Sequence, residues 1–343
     1  MDNSKIFHPN QEHNLGKGLL SVNTFNGRML YSYPISTIGL GNFQIDTSLV
    51  YNSSYNISDF YDKKIGFGNG WKYSFEQFIF KYKDEYNLEG FNLLDYVYID
   101  SNWCIHRFIK YKDCEGYDNP RSVYYDESGT GLKLIVSNNS NHQMFDEYGN
   151  TYYFDKDSSK LINIISGVNT LIIKNIEYDE AKDKVLSIYD SRKSNRRIKF
   201  DYNQNNLPEK SYSTHSNIYY TFEYDNEKLV RIFKGNNLKK KKVHEFLYDK
   251  SLINGIINNE NYQAIKLEYN LNNNYVLNKI TLGAMKYKVI AEDIDAELYC
   301  GDDLYSKGTY YINHKGKKYI ESNFMPNEYI YSIITYDYHL SYT

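Results

Sequence analysis

The sequence predicts an all-β protein built around an extended antiparallel sheet of stacked hairpins. The first observation behind this is a mark that recurs, an aromatic strand ending in Tyr followed by Asp or Asn. It appears as Ile176-Glu177-Tyr178-Asp179, Phe200-Asp201-Tyr202-Asn203, Phe222-Glu223-Tyr224-Asp225, Phe246-Leu247-Tyr248-Asp249 and Leu267-Glu268-Tyr269-Asn270. The tyrosines lie 24, 22, 24 and 21 positions apart, and Phe154-Asp155, another 24 positions before Tyr178, reads as a weaker first copy. A second apolar mark follows each turn, as Leu161…Ile164, Leu186…Ile188, Leu229…Ile232, Leu252…Ile256 and Leu277…Ile280; the copy at Leu207 breaks it with Lys210. A steady period of this size marks stacked supersecondary units. Composition agrees: 17% of the 343 residues are aromatic, 39 of them Tyr, and only 5 are Pro, which favours pleated, half-buried surfaces.

One unit can be built from its residues. Phe222 and Tyr224 are two apart and share a strand face, while Glu223 points the other way. Asp225-Asn226-Glu227 suits a turn, because Asp and Asn bond their own backbone and tolerate unusual torsions. Leu229 to Ile232 begins the return strand. A lone hairpin buries too little to hold itself, whereas stacked hairpins share aromatic rungs in one sheet. The alternative is an ordinary antiparallel sandwich with evenly spaced hairpins.

Taken in order, residues 1–18 read as an irregular arm ending at Gly16-Lys17-Gly18. From 19 to 150 strand signals are less regular. Leu20, Val22 and Thr24 alternate, Asn26-Gly27 is a tight-turn pair, and Met29, Tyr31 and Tyr33 alternate back toward Pro34. Phe43 to Tyr51 keeps a clean period of two, and residues 52–65 read as a loop. The Gly-rich stretch Gly66-Phe67-Gly68-Asn69-Gly70-Trp71 lacks the context of a phosphate loop, so its glycines are expected to let backbone pack against Trp71 at a sheet corner. One long strand is expected from Trp71 to Phe80. The repeat region spans 151–282. An acidic loop and C-terminal β cap follow over 283–343, with Glu292, Asp293, Asp295, Glu297, Asp302 and Asp303 in positions that fit neither a calcium loop nor a catalytic pair. No linker-like tract divides the halves, so one continuous body is expected.

Chemistry leaves few marks. Net charge is -3, which does not suit a nucleic-acid surface. Lys239-Lys240-Lys241-Lys242 is the one basic run, a solvated loop or edge that doubles as a candidate partner-facing loop. Cys104, Cys114 and Cys300 are too few and odd for a disulfide scaffold, and Cys104, His106 and Cys114 do not have metal-site spacing. Neither metal nor cofactor is expected. The polar first 18 residues lack a signal peptide's apolar core, and no run is long enough for a membrane span, so a soluble chain, exported if at all by a signal-peptide-independent route, is expected.

The Tyr-Asp repeat with its apolar return resembles the YD-repeat, or Rhs-repeat, proteins. Ser21-Val22-Asn23-Thr24…Gly27-Arg28, Leu49-Val50-Tyr51-Asn52-Ser53, Gly68-Asn69-Gly70-Trp71 and Phe145-Asp146-Glu147-Tyr148-Gly149-Asn150 extend the resemblance over roughly 19–280. It implies a spiralling β shell that encloses cargo, here an open or partial shell because the chain is short. The proline-containing signature that closes such shells is not found near 283–305, so the resemblance carries over no catalytic residue. Tyr178, Tyr202, Tyr224, Tyr248, Tyr269 and Trp71 are expected as structural repeat positions.

The leading expectation is therefore a non-enzymatic scaffold that holds, shields or displays a protein partner, toxin cargo or another shell component, in a secreted toxin or phage-tail-like system. The alternative is a module that binds cell-surface glycans through aromatics and amides. A third class, a small toxin or hydrolase in 283–343, lacks a Ser/His/Asp or Cys/His arrangement.

Overall fold

The computed structural model describes residues 10–15, 17–23, 29–38, 45–53, 66–67, 70–83, 90–114, 121–137, 139–168, 173–260, 263–270, 276–285, 292–300, 303–312, 318–321 and 329–335. The turn expected at Asn26-Gly27 lies outside them. Strands dominate the described residues: β1 (Asn10–Leu15), β2 (Gly18–Asn23), β3 (Met29–Ile38), β4 (Ile45–Asn52), β5 (Trp71–Tyr73), β6 (Phe78–Lys81), β7 (Tyr96–Ile99), β8 (Ile105–Cys114) and β9 (Arg121–Asp126). Then come β10 (Lys133–Ser137), β11 (His142–Phe145), β12 (Thr151–Phe154), β13 (Leu161–Ile165), β14 (Ile173–Tyr178), β15 (Val185–Asp190), β16 (Arg197–Tyr202), β17 (Pro208–Ser213), β18 (Tyr219–Asp225) and β19 (Lys228–Gly235). The last are β20 (Lys240–Asp249), β21 (Leu252–Asn258), β22 (Gln263–Asn270), β23 (Val276–Met285), β24 (Glu292–Cys300), β25 (Asp303–Ile312), β26 (Lys318–Glu321) and β27 (Tyr329–Thr335). The chain is thus essentially all-β, a long stack of antiparallel hairpins. Among the described residues no helix is long and apolar enough to cross a membrane.

Contacts divide the chain into two compact units, Leu30–Lys241 and the remainder. In the first unit β3 pairs with β4 and β4 with β5. Beside them β6 to β19 pair in sequence order, each antiparallel to the next. One face of this run is sealed: Ile176 opposes Ile188 and Ile188 opposes Ile198, while Phe222 opposes Ile232, all buried. Each such side chain contributes about 1.5–3 kcal/mol on leaving water. In the second unit β20 to β23 continue the same grammar, with Phe246 opposite Ile256 and Ile256 opposite Ile265, and β23 pairs with β27.

Several expectations are corrected. The arm contains a strand, β1, whose residues pair with β2 from Asn10↔Asn23 to Leu15↔Gly18. The acidic segment is not a loop: Glu292–Cys300 is β24, paired with β25. The single strand from Trp71 to Phe80 is two, β5 and β6, broken by a turn at Ser74 and Phe75. Period-two alternation misleads there because both faces are covered: Lys72, Ser74, Glu76 and Gln77 are buried along with Trp71, Tyr73, Phe75 and Phe78. Lys240 to Lys242 are not loop residues but open β20, and the loop shrinks to the turn in which the Asn236 amide donates to the Lys239 carbonyl.

Candidate functional site

Every repeat tyrosine stands at a β-bulge. Register slips between Glu177 and Tyr178, Asp201 and Tyr202, Glu223 and Tyr224, Leu247 and Tyr248, and Glu268 and Tyr269. Phe154 shows the same slip after Tyr153. A bulge leaves one residue unpaired and loosens the ladder around it. Three of the tyrosines use that opening. The Tyr178 hydroxyl donates to the Leu161 carbonyl at 2.8 Å, Tyr202 to Val185 at 3.0 Å and Tyr269 to Ile253 at 2.9 Å. Each acceptor is the residue that opposes the aromatic of the preceding copy: Leu161 opposes Phe154, Val185 opposes Tyr178 and Ile253 opposes Tyr248. A hydroxyl from one hairpin therefore stitches the bulge of the hairpin before it.

The turns close on the acidic or amide residue after the aromatic. Asp155 Oδ1 accepts the Asp157 and Ser158 amides at 3.2 and 2.8 Å, Asp179 Oδ1 those of Asp183 and Lys184 at 2.7 and 3.0 Å, and Asn203 Oδ1 those of Asn205 and Leu207 at 2.9 and 3.0 Å. The Asp225 turn is tighter, with Asn226 and Glu227 at φ 47° and 67°, the mirror-image two-residue turn that matches strand twist.

The residue opposite the aromatic is the marked Leu in three copies, Leu161, Leu229 and Leu277, but not in two others. Val185 rather than Leu186 opposes Tyr178, and Leu186 is left 44% exposed; Ile253 rather than Leu252 opposes Tyr248. The broken copy acquires a reason. Buried Ser211, not Lys210, opposes Phe200, and the rings of Tyr73 and Phe75 pack against Phe200 at 4.7 and 5.3 Å. The small serine lies beside the ring on which the segment between β5 and β6 docks. That segment is tied down again where the Ile79 amide donates to the Ser159 carbonyl and the Leu161 amide to the Gln77 carbonyl.

Trp71 is fully buried against Tyr51 and Tyr31, at ring separations of 5.3 and 6.3 Å. Gly66, at φ +68°, admits the Trp71 carbonyl where a Cβ would stand 2.1 Å away. Two buried ionisable groups beside it escaped sequence reasoning, because at alternate positions they read as a solvent face. Lys72 Nζ donates to the carbonyls of Glu76 and Ser101, both at 3.1 Å, and stands 5.5 Å from the Trp103 ring. Burial holds Lys72 down at about 8, against the opposing pull of Asp100 and Glu76. Glu76 Oε2 accepts the Tyr73 amide at 2.8 Å, and burial raises its pKa.

Cys104 and Cys114 are free thiols, and His106 faces carboxylates instead: Asp100 at 3.4 Å from Nε2 and Asp126 at 3.7 Å from Nδ1. Among the described residues no group of three or more His, Cys, Asp and Glu gathers as metal ligands would. A half-open cavity of about 230 Å³ lies at the last described repeat turn, lined by Asp249, Leu252, Asn254, Lys266, Glu268 and Tyr269, with Lys266 paired to Glu268 at 3.3 Å. In the basic run, Lys239 donates its amide to Asn236, Lys240 lies 4.3 Å from the Phe233 ring and Lys242 pairs with Glu245 at 2.6 Å.

No protein-family model matches the chain, and no curated protein matches it. Among solved structures it is similar to a chain in the crystal structure of TcdB2-TccC3 without its hypervariable C-terminal region, with a TM-score of 0.37 and 10% identity over 95% of this chain. The matched part is 20% of that chain, so this sequence spans about a fifth of its length.

Proposed function

We propose that the chain is a non-enzymatic β scaffold of the YD-repeat kind that holds, shields or displays a partner protein. One observation carries this reading: the tyrosine, its bulge and its turn recur as a stitched unit whose polar groups are spent on joining hairpins. Tyr178, Tyr202 and Tyr269 give their hydroxyls to backbone, and the turn carboxylates of Asp155 and Asp179 accept backbone amides. In this reading Tyr224 and Tyr248 mark the bulges of their own copies as structural positions, Trp71 anchors the first sheet, and Lys239 to Lys242 face the partner. The test uses the tagged chain expressed in its native source and isolated gently. A co-isolated protein that resists protease while bound and is cut after release supports shielding. One cut equally in both states, or none recovered, overturns it.

A second reading, glycan binding, is favoured by one cross-strand row. Tyr153 opposes Asn163, Asn163 opposes Asn175 and Asn175 opposes Tyr189, all half-buried. Aromatic faces and amides in one line suit sugar rings and hydroxyls. Loss of glycan-array binding in Tyr153→Ala supports this reading, and an array blank for the unmodified chain rejects it.

A further inference from the structure

One end of the Leu30–Lys241 unit carries a row of exposed apolar tips that the scaffold reading does not use, beside the Lys239 to Lys241 run, for which the tips point to a different occupant. Because the strands alternate in direction, the turns β13–β14, β15–β16, β17–β18 and β19–β20 all emerge at the same end. Three of them present an isolated apolar side chain to solvent: Val168 is 94% exposed, Leu238 89% and Ile218 42%. The same local device holds each one out. The Val168 amide donates to Ser166 Oγ at 3.3 Å, the Ile218 amide to Ser216 Oγ at 3.4 Å and the Leu238 amide to Asn236 Oδ1 at 3.0 Å.

Over the last three of these turns the charge is one-sided, whereas the β7–β8, β9–β10 and β11–β12 turns at the same end carry Asp100, Glu127, Asp146 and Glu147. Segments 191–197, 214–218 and 236–241 contain seven Lys and Arg and no Asp or Glu, in a chain whose net charge is -3. Two of the seven are held by carboxylates on the strands, Arg192 by Asp190 at 2.7 Å and Arg197 by Glu177 at 2.5 Å. The other five, Lys193, Arg196, Lys239, Lys240 and Lys241, are exposed. Neighbouring strands lie about 4.8 Å apart, so successive turns stand about 10 Å apart. Single apolar tips at such intervals, with polar groups between them, do not form the continuous patch that a packed protein interface needs. Fluid acyl chains have no such requirement, and anionic headgroups complement the lysines.

We propose that this rim docks on an anionic lipid surface. Val168, Ile218 and Leu238 enter the headgroup region, and Lys193, Arg196 and Lys239 to Lys241 face the lipid charges. The neighbouring turn, with Tyr148 beside Glu147, stays outside the docking edge.

The test is co-sedimentation of the full chain with vesicles of phosphatidylcholine, with and without phosphatidylserine. Binding is expected only with phosphatidylserine and weakens as salt rises. Val168→Ser, Ile218→Ser and Leu238→Ser each lower the partition coefficient about tenfold, the value of burying one such side chain. Lys239→Gln and Lys240→Gln each lower it about fivefold at low salt. Leu238→Trp, which adds an interfacial aromatic, tightens binding and guards against variants that merely unfold. Failure to sediment with phosphatidylserine vesicles overturns the proposal. So does full binding by the triple serine variant, which would reduce the rim to a general polyanion surface.

Discussion

Replacing Tyr178 by Phe isolates the stitch between hairpins, since the ring stays and only the hydroxyl leaves. The lost bond is the 2.8 Å donation to the Leu161 carbonyl, a group at the bulge opposite Phe154. A typical net hydrogen bond contributes about 1 kcal/mol, and a buried acceptor left unpaired costs about 1–3 kcal/mol. A carbonyl keeps a second lone pair and tolerates loss better than an amide, which places the expected cost at about 1–1.5 kcal/mol. Tyr178→Ala also removes the ring and should cost about 3–5 kcal/mol. Urea unfolding measures both, with hydrogen exchange reporting whether the opening is confined to the strands around β13 and β14. In a stacked repeat array the loss should concentrate at that interface and leave the outer hairpins protected. A Tyr178→Phe protein as stable as the unmodified chain, beside a costly Tyr178→Ala, would refute the hydroxyl stitch and leave ring packing alone. Tyr202→Phe should repeat the result one hairpin later.

Other outcomes follow from the buried charges and the close approach at Trp71. Lys72 is held down at about 8 by burial, from 10.5, so between those values the unfolded chain binds a proton that the folded chain does not. Unfolding free energy of the unmodified chain should therefore rise with pH across that window relative to Lys72→Met; parallel curves would contradict it. His106 is pushed down by burial, but its hydrogen bonds and charge contacts with Asp100 and Asp126 outweigh that and raise its pKa. Its stabilisation is full below about 6.5 and fades as pH climbs through the folded value, so His106→Gln should be destabilising in acid and converge with the unmodified chain in alkali. NMR titration of the His106 ring below the ordinary range would reject this. Gly66→Ala would set a Cβ 2.1 Å from the Trp71 carbonyl at a left-handed φ, and a loss of several kcal/mol in chemical unfolding is expected; near-neutral stability would show that the Trp71 corner moves freely.

The repeat was legible because periodicity survives in one dimension: Tyr178, Tyr202, Tyr224, Tyr248 and Tyr269 mark their own hairpins. The bulge was not, since nothing in the order of residues marks the register slip, and the residue that opposes the aromatic, Val185 beside Leu186 and Ile253 beside Leu252, is one of two adjacent aliphatics that the sequence does not tell apart. Phe at the first copy also becomes intelligible: Phe154 has no earlier copy to stitch and needs no hydroxyl. Lys72 and Glu76 misled for a different reason. Alternating charge normally signals water on one face, yet here backbone carbonyls and an amide take the place of solvent. The exposed tips carried only a faint signal, a Ser or Asn two residues before an aliphatic in a turn, and their common end emerges only from the strand order.

The most direct test of the scaffold reading is the mass of the intact assembly, purified gently from its native source and with every component identified. The account predicts a second protein in fixed stoichiometry with this chain. A clean monomer, reproduced over several gentle preparations, would contradict it.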